Sequence, residues 1–313
     1  MNLPVLVTNS QMIDFLSSFS NDLPLLKSGP FVFECHKSPS GFSAEELSKL
    51  LNSHVAIIVG DDVVNEEVLV QNQQLRIVVK WGSGIDTIDV KACKRLGIAF
   101  ENTPGLLGDS VADLAVNMFL SVIRRSNFID SSIRNGNWLK ITGYQPKSFH
   151  CGIIGFGAIG KELSKRLLGF DCDISVFDPF VEESEQSNVR YVKSLVQLIR
   201  SCNAIFICVP LSDSTIGLLS REKLRFMKRG SVLINVSRGK VIDQSALEEM
   251  LESGYLLGAG LDVFEVEPLP VECKLISLNN VILSSHNASN TYESIRNVSE
   301  KCLNILNDYL IAR

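Results

Sequence analysis

Residues 151–160 read Cys-Gly-Ile-Ile-Gly-Phe-Gly-Ala-Ile-Gly, an apolar run that enters the pattern GxGxxG and leaves into an amphipathic stretch over 158–168. A strand, a glycine turn and a helix in that order open a βαβ unit of the kind that binds a dinucleotide. Gly155 allows the tight turn, Gly157 lets the backbone approach a pyrophosphate, and Gly160 lets the helix pack close to the strand. Ala158 and Ile159 begin the helix, whose N-terminal N–H groups and positive dipole end attract phosphate. A GxGxxG pattern alone is weak, since an ordinary strand–turn–helix produces it too. Its context strengthens it: Asp178 stands 178 − 160 = 18 residues after Gly160, at the end of the next apolar run. There a carboxylate accepts hydrogen bonds from an adenosine ribose. The same carboxylate repels a 2′-phosphate and Pro179 offers no cation, so the sequence favours NAD over NADP.

The rest of the chain alternates in the same way. Apolar, β-branched runs at 4–8, 31–35, 55–59, 75–79 and 98–100 are separated by helix-like stretches at 11–17, 44–51 and 65–70. After the turn cluster at 102–105, a long helical pattern covers about 110–125, and a Gly- and Pro-containing polar segment, 135–148, reads as loop. Strands then fit 151–154, 174–177, 204–209, 232–236, 257–261 and 281–284, with helices at 158–168, 194–199, 220–227, 244–252 and 291–310. Strand–helix alternation predicts parallel sheets covered on both faces, and the length suits two α/β units.

Composition excludes several classes. Apolar residues make up 45% of the 313 and charged residues 21%, the balance of a soluble globular protein. Thirty Lys and Arg against thirty-five Asp and Glu give a net charge of −5, with no basic run, which disfavours nucleic-acid partners. The first residues, MNLPVLVTNSQ, lack the basic and apolar regions of a secretory signal, and the apolar stretch 114–123 is too short to cross a bilayer. None of the eight cysteines forms a CxxC pair or a zinc-like Cys/His cluster, so we expect a reducing cytoplasm and no metal.

Three post-strand segments carry chemistry. INVSRG places Arg238 past one strand, LDVFEVEP places Glu265 and Glu267 past another, and ILSSH places His286 past a third. In doubly wound sheets ligands sit outside the carboxyl ends of strands. Arginine binds a carboxylate and polarises a carbonyl, imidazole passes a proton to the oxygen, and a carboxylate beside it orients the ring. The trio suits a 2-oxo or 2-hydroxy acid. His36, His54 and His150 have no such company and read as structural.

Together, KWGSGIDTID at 80–89, NTPG and SVADLA within 102–115, GIIGFGAIG at 152–160, VP at 209–210, INVSRGKVIDQSAL at 234–247, GAGLDVFEVEPL at 258–269 and SSHNASNT at 284–291 resemble the D-isomer-specific 2-hydroxyacid dehydrogenases. The resemblance covers most of 75–291. It implies an NAD-dependent oxidoreductase with Arg238, Glu267 and His286 as catalytic residues, and Glu267 rather than Glu265 beside the histidine. It also implies Asp178 at the ribose, Asp262 at the nicotinamide amide, Val209 and Pro210 along the coenzyme, and substrate contacts from Lys80, Trp81, Gly82, Ser83 and Gly84. The implied fold is α/β: two Rossmann-like or flavodoxin-like parallel-sheet domains, residues 1–101 plus 287–313 for substrate and 102–286 for NAD, with the active site in an interdomain cleft. A homodimer is implied as well.

Lys80 stands where some phosphoglycerate dehydrogenases carry arginine, which points to a small anionic substrate such as D-3-phosphoglycerate. A glyoxylate/hydroxypyruvate reductase or a sugar-acid dehydrogenase is the alternative, and a non-catalytic NAD-sensing corepressor is the alternative of another class. The chain ends at 313, so no regulatory domain for serine feedback is expected. It departs from the family pattern at Ala158, where arginine is frequent, at Ser285, where proline is common, and in the lead-in QPKSFH.

Overall fold

The computed structural model describes residues 2–19, 26, 29–38, 41–181 and 188–311. The chain divides into two compact units, Met1–Leu107 with Asn290–Arg313, and Gly108–Ser289.

In the first unit, strands β1 (Leu3–Val7), β2 (Phe31–Cys35), β3 (Ala56–Val59), β4 (Ile77–Lys80) and β5 (Ala99–Asn102) pair in parallel in the order β2-β1-β3-β4-β5. Every residue of β3 and β4 is buried, as expected of parallel strands covered on both faces. Helix Tyr292–Leu310 supplies Val298, Cys302 and Leu306 to one face, where they meet Val5, Ile77 and Val79. Helices Ala44–Leu51, Glu66–Gln71 and Val90–Leu96 cover the other, through residues such as Leu47, Val68 and Cys93. Ser43 and Glu46 form a reciprocal capping box at the start of Ala44–Leu51.

The second unit holds β6 (His150–Ile154), β7 (Asp173–Phe177), β8 (Arg190–Tyr191), β9 (Ala204–Ile207), β10 (Val232–Asn235), β11 (Gly258–Leu261) and β12 (Val281–Leu283). They pair in parallel in the order β12-β11-β10-β9-β6-β7-β8. Strand order reverses between β6 and β9, which is where a doubly wound sheet opens a crevice for a ligand. Helix Gly108–Arg124 packs on β10, β11 and helix Ala158–Leu168. Arg166 fastens the two helices through Asp109 at 3.0 Å and Asp113 at 2.5 Å.

The structure departs from the sequence reading in a few places. The crossings fall at 107/108 and 289/290 instead of 101/102 and 286/287. Thr103 stays with the first unit because its hydroxyl accepts the Gly82 N–H at 2.8 Å. Asn287 and Ala288 stay with the second because their N–H groups donate to Asp262. Helices Val90–Leu96 and Ser126–Arg134 are additions to the reading. The first is a seven-residue segment dominated by charge, defined by its Asp89 cap and by Gly97 at φ +73°. The second is set off from Gly108–Arg124 by Arg125 at φ +54°. Among the described residues no helix is long and apolar enough to cross a membrane.

Candidate active site

The glycine turn follows β6. Gly155 has φ +91°, and a Cβ there would lie 2.8 Å from the Cys208 carbonyl oxygen, so β9 and the turn press together. A Cβ on Gly160 would lie 2.2 Å from the Gly155 carbonyl oxygen, which brings helix Ala158–Leu168 down onto the strand. Gly157 differs: it caps that helix without a side-chain hydrogen bond, and no heavy atom lies within 4 Å of where its Cβ would be. Asp178 follows β7 and is tied to the turn, its carboxylate accepting the Phe156 N–H at 2.7 Å and the Phe180 N–H at 2.9 Å. An open glycine N-cap beside an anchored, half-buried carboxylate fits a pyrophosphate and a ribose diol. Val209 and Pro210 follow β9, across the switch point from the turn.

Arg238 follows β10 on a loop shaped by Asn235. The Asn235 side chain accepts from Ser237 N–H at 3.1 Å and from the Ser237 hydroxyl at 2.9 Å, and donates to the Arg238 carbonyl at 3.0 Å. The next residue sets how closely two loops meet. A Cβ on Gly239 would fall 1.8 Å from the Phe264 carbonyl carbon and 2.3 Å from the Glu265 nitrogen. The loop after β10 therefore lies directly on the backbone of the loop after β11.

That second loop carries the acids, and the structure separates them. Glu265 turns back to helix Gln244–Glu252: its carboxylate accepts the Gln244 N–H at 3.1 Å, and its own N–H donates to the Gln244 side-chain oxygen at 3.1 Å. Glu267 instead meets His286, with its Oε2 2.8 Å from the ring Nδ1, while its Oε1 accepts the Phe264 N–H at 2.9 Å. An ionised carboxylate only accepts, so Nδ1 is the donor in this pair. Both side chains are about one-third exposed, within reach of a ligand.

His286 follows β12 with φ +54°, a left-handed conformation that is costly for a residue other than glycine. Asp262 holds it there. The Asp262 carbonyl accepts the His286 N–H at 2.7 Å, and its carboxylate accepts the N–H groups of Asn287 at 2.8 Å and Ala288 at 3.0 Å. Asp262 is only 1% exposed, so its structural duty is to fix the backbone that presents the histidine. The resemblance assigns it to the coenzyme alone.

The other histidines are placed elsewhere. His150 lies 2.9 Å from the Ser175 hydroxyl, and burial lowers its pKa. His36 and His54 flank the carboxylate of Glu34 at 2.7 and 3.2 Å. Among the described residues no group of His, Cys, Asp and Glu could hold a metal ion.

In the first unit, three of the five expected substrate residues, Lys80, Trp81 and Gly82, bond within the unit. Lys80, 4% exposed, donates to the Gly60 carbonyl and lies 3.2 Å from the Asp61 carboxylate, so its ammonium is engaged inside its own unit. Trp81, for which the resemblance implies a substrate contact, is a core residue beneath helix Tyr292–Leu310 and donates its indole N–H to Ser299 at 3.1 Å. Gly82, at φ +112°, gives its N–H to Thr103. Ser83 is exposed and Gly84 half-buried.

The Gly239 contact makes a direct prediction. With backbone rather than a flexible side chain opposite, Gly239→Ala must move one loop, and it should cost roughly 3 kcal/mol or more of stability. Chemical denaturation of the purified protein measures this. A loss within about 0.5 kcal/mol, the range of neutral surface changes, would contradict the packing described.

The chain is similar to known proteins along most of its length. A model described as "D-isomer specific 2-hydroxyacid dehydrogenase, NAD binding domain" matches residues 116–288. The chain is 37% identical over 247 residues to a glyoxylate reductase of Korarchaeum cryptofilum, covering 76% of this chain and 74% of that one. It is 37% identical over 270 residues to a glyoxylate/hydroxypyruvate reductase of Arabidopsis thaliana, covering 83% of each. The crystal structure of the TT0316 protein from Thermus thermophilus superposes with a TM-score of 0.87 at 29% identity, covering 99% of this chain and 98% of that one. With a matched NAD-binding domain and relatives along most of its length, the chain belongs to the D-isomer-specific 2-hydroxyacid dehydrogenases, a family of oxidoreductases with an NAD-binding domain.

Proposed function

We propose that this enzyme reduces a small 2-oxo acid, glyoxylate or hydroxypyruvate, to its 2-hydroxy acid, with Arg238, Glu267 and His286 as the working side chains. The observation that carries the proposal is the His286–Glu267 pair at 2.8 Å, anchored on the Phe264 N–H past the carboxyl end of β11. Bound NADH supplies the hydride for the carbonyl carbon. Arg238 binds the substrate carboxylate and polarises the carbonyl. His286, with Nδ1 held by Glu267, delivers a proton from Nε2 to the carbonyl oxygen. In the opposite direction the same nitrogen removes the hydroxyl proton. Asp178 and the Gly155–Gly160 turn take the ribose and pyrophosphate, with Val209 and Pro210 along the coenzyme. Because Thr103 holds the Gly82 N–H, we assign substrate-carboxylate binding in that loop to Ser83 and Gly84.

The engagement of Lys80 with Gly60 and Asp61 supports an unphosphorylated substrate. D-3-phosphoglycerate dehydrogenases are also among the similar proteins, so names alone do not decide the substrate. A substrate phosphate would need a cation, and the lysine expected to supply it already has two partners. We further propose a homodimer, and a cytoplasmic setting in keeping with eight free thiols.

The test mixes the purified enzyme with NADH and, separately, glyoxylate, hydroxypyruvate and 3-phosphohydroxypyruvate, and follows the loss of NADH absorbance. The unphosphorylated acids should be turned over with the higher kcat/KM. A charged hydrogen bond to phosphate is worth about 1.5–3 kcal/mol, so a roughly ten- to hundredfold preference for the phosphorylated acid would restore the phosphoglycerate reading. Turnover of none of the three would overturn the proposal.

Coenzyme choice gives a second expectation. Asp178 should make NADH preferred over NADPH by about 2–4 kcal/mol in kcat/KM, through repulsion and desolvation at the 2′-phosphate, and Asp178→Ser should narrow the gap. Equal efficiency of the two coenzymes with the unaltered enzyme would contradict this role.

A further inference from the structure

Two residues outside the catalytic trio join the loops that bear it. Arg238 sits on the loop after β10, which runs through Gly239 into helix Gln244–Glu252, and Glu267 sits on the loop after β11. Gln244 and Glu265 cross-link these loops reciprocally, each giving its backbone N–H to the other's side-chain oxygen at 3.1 Å. A second contact lies beside this link. The Gly239 backbone rests against Phe264 and Glu265, and the Phe264 N–H, one residue before Glu265, holds the Glu267 carboxylate that holds His286. A continuous path of contacts thus runs from the arginine loop, across the Gln244–Glu265 link, to the imidazole.

We propose that Gln244 and Glu265 are positioning residues that fix the Arg238 loop relative to the Glu267–His286 pair. The inference rests on the function proposed above. The link suits such a task because its two bonds restrain backbone on both sides. A single side-chain contact would leave one loop able to slide. Gly239 excludes overpacking at the junction but cannot pull the loops together, and the link supplies that attraction. Glu265 is exposed, so its removal leaves the core intact. Glu265 touches no reacting group in this scheme. Its effect passes through the placement of Glu267, and an ångström of misplacement in such a constellation costs as much as ~100-fold in rate.

The experiment compares Glu265→Ala, Gln244→Ala, the double variant and Glu265→Gln. The two alanine variants should each lower kcat by about 10- to 100-fold with KM for NADH within about twofold of the unaltered enzyme. The double variant should be little worse than either single one, because the one bond that each single variant keeps still leaves a loop able to slide. Glu265→Gln keeps a side-chain oxygen for the Gln244 N–H and should recover most of the activity. A readout independent of turnover is the ring resonance of His286 in the two-dimensional NMR spectrum, assigned by its loss in His286→Asn. It should move in both alanine variants and stay in place in Glu265→Gln. A merely structural link would lower Tm and leave both kcat of the folded enzyme and the His286 resonance unchanged, and that result would overturn the proposal. If the unaltered enzyme reduces no 2-oxo acid, the functional reading fails, while the resonance still tests whether the link positions the imidazole.

Discussion

The backbone contact between Gly239 and the Phe264–Glu265 peptide sets the spacing on which the rest of the candidate site depends. At that point two loops from neighbouring parallel strands approach until a single Cβ would fall 1.8 Å from a carbonyl carbon. The acid and the arginine lie within three residues of this contact. Arg238 precedes Gly239, Phe264 offers its N–H to Glu267, and Glu267 orients His286. Parallel sheet geometry makes this possible, because β10, β11 and β12 are neighbours and all end on the same edge. Residues distant in sequence thereby become adjacent.

The histidine itself is held against its conformational preference. A positive φ at a non-glycine residue costs of order 1–3 kcal/mol and persists where surrounding contacts over-determine it. Here the buried Asp262 provides them, with three hydrogen bonds to the N–H groups of residues 286, 287 and 288. The arrangement fixes the direction of the imidazole before any substrate arrives. Preorganisation of this kind suits the proton-transfer role proposed for His286.

Much of this is legible in the sequence because it rests on local pattern. The glycine turn announces itself through strand, GxGxxG and helix, and Asp178 through its place at the end of the following strand. Continuous apolar runs mark the buried parallel strands. Long-range contact is less readable. Nothing in the spacing alone tells which of Glu265 and Glu267 turns toward His286. The resemblance names Glu267, and the structure shows why Glu265 faces away, toward Gln244. Lys80 and Trp81 show the same limit from the other side. Both lie at a strand end, the usual place for ligand contacts, yet the lysine turns to Gly60 and Asp61 and the tryptophan to Ser299. Their partners are distant in the chain, and composition carries no trace of them. Gly239 is visible in the sequence only as the residue after Arg238, its value lying in a neighbour 25 positions further on, 264 − 239.

The account turns on His286 as the group that delivers the proton. Its most direct test is kcat for 2-oxo-acid reduction by His286→Asn, measured beside the affinity of that variant for NADH. The account predicts that kcat falls roughly 10²- to 10⁴-fold while NADH binding is retained. A kcat near that of the unaltered enzyme would contradict it.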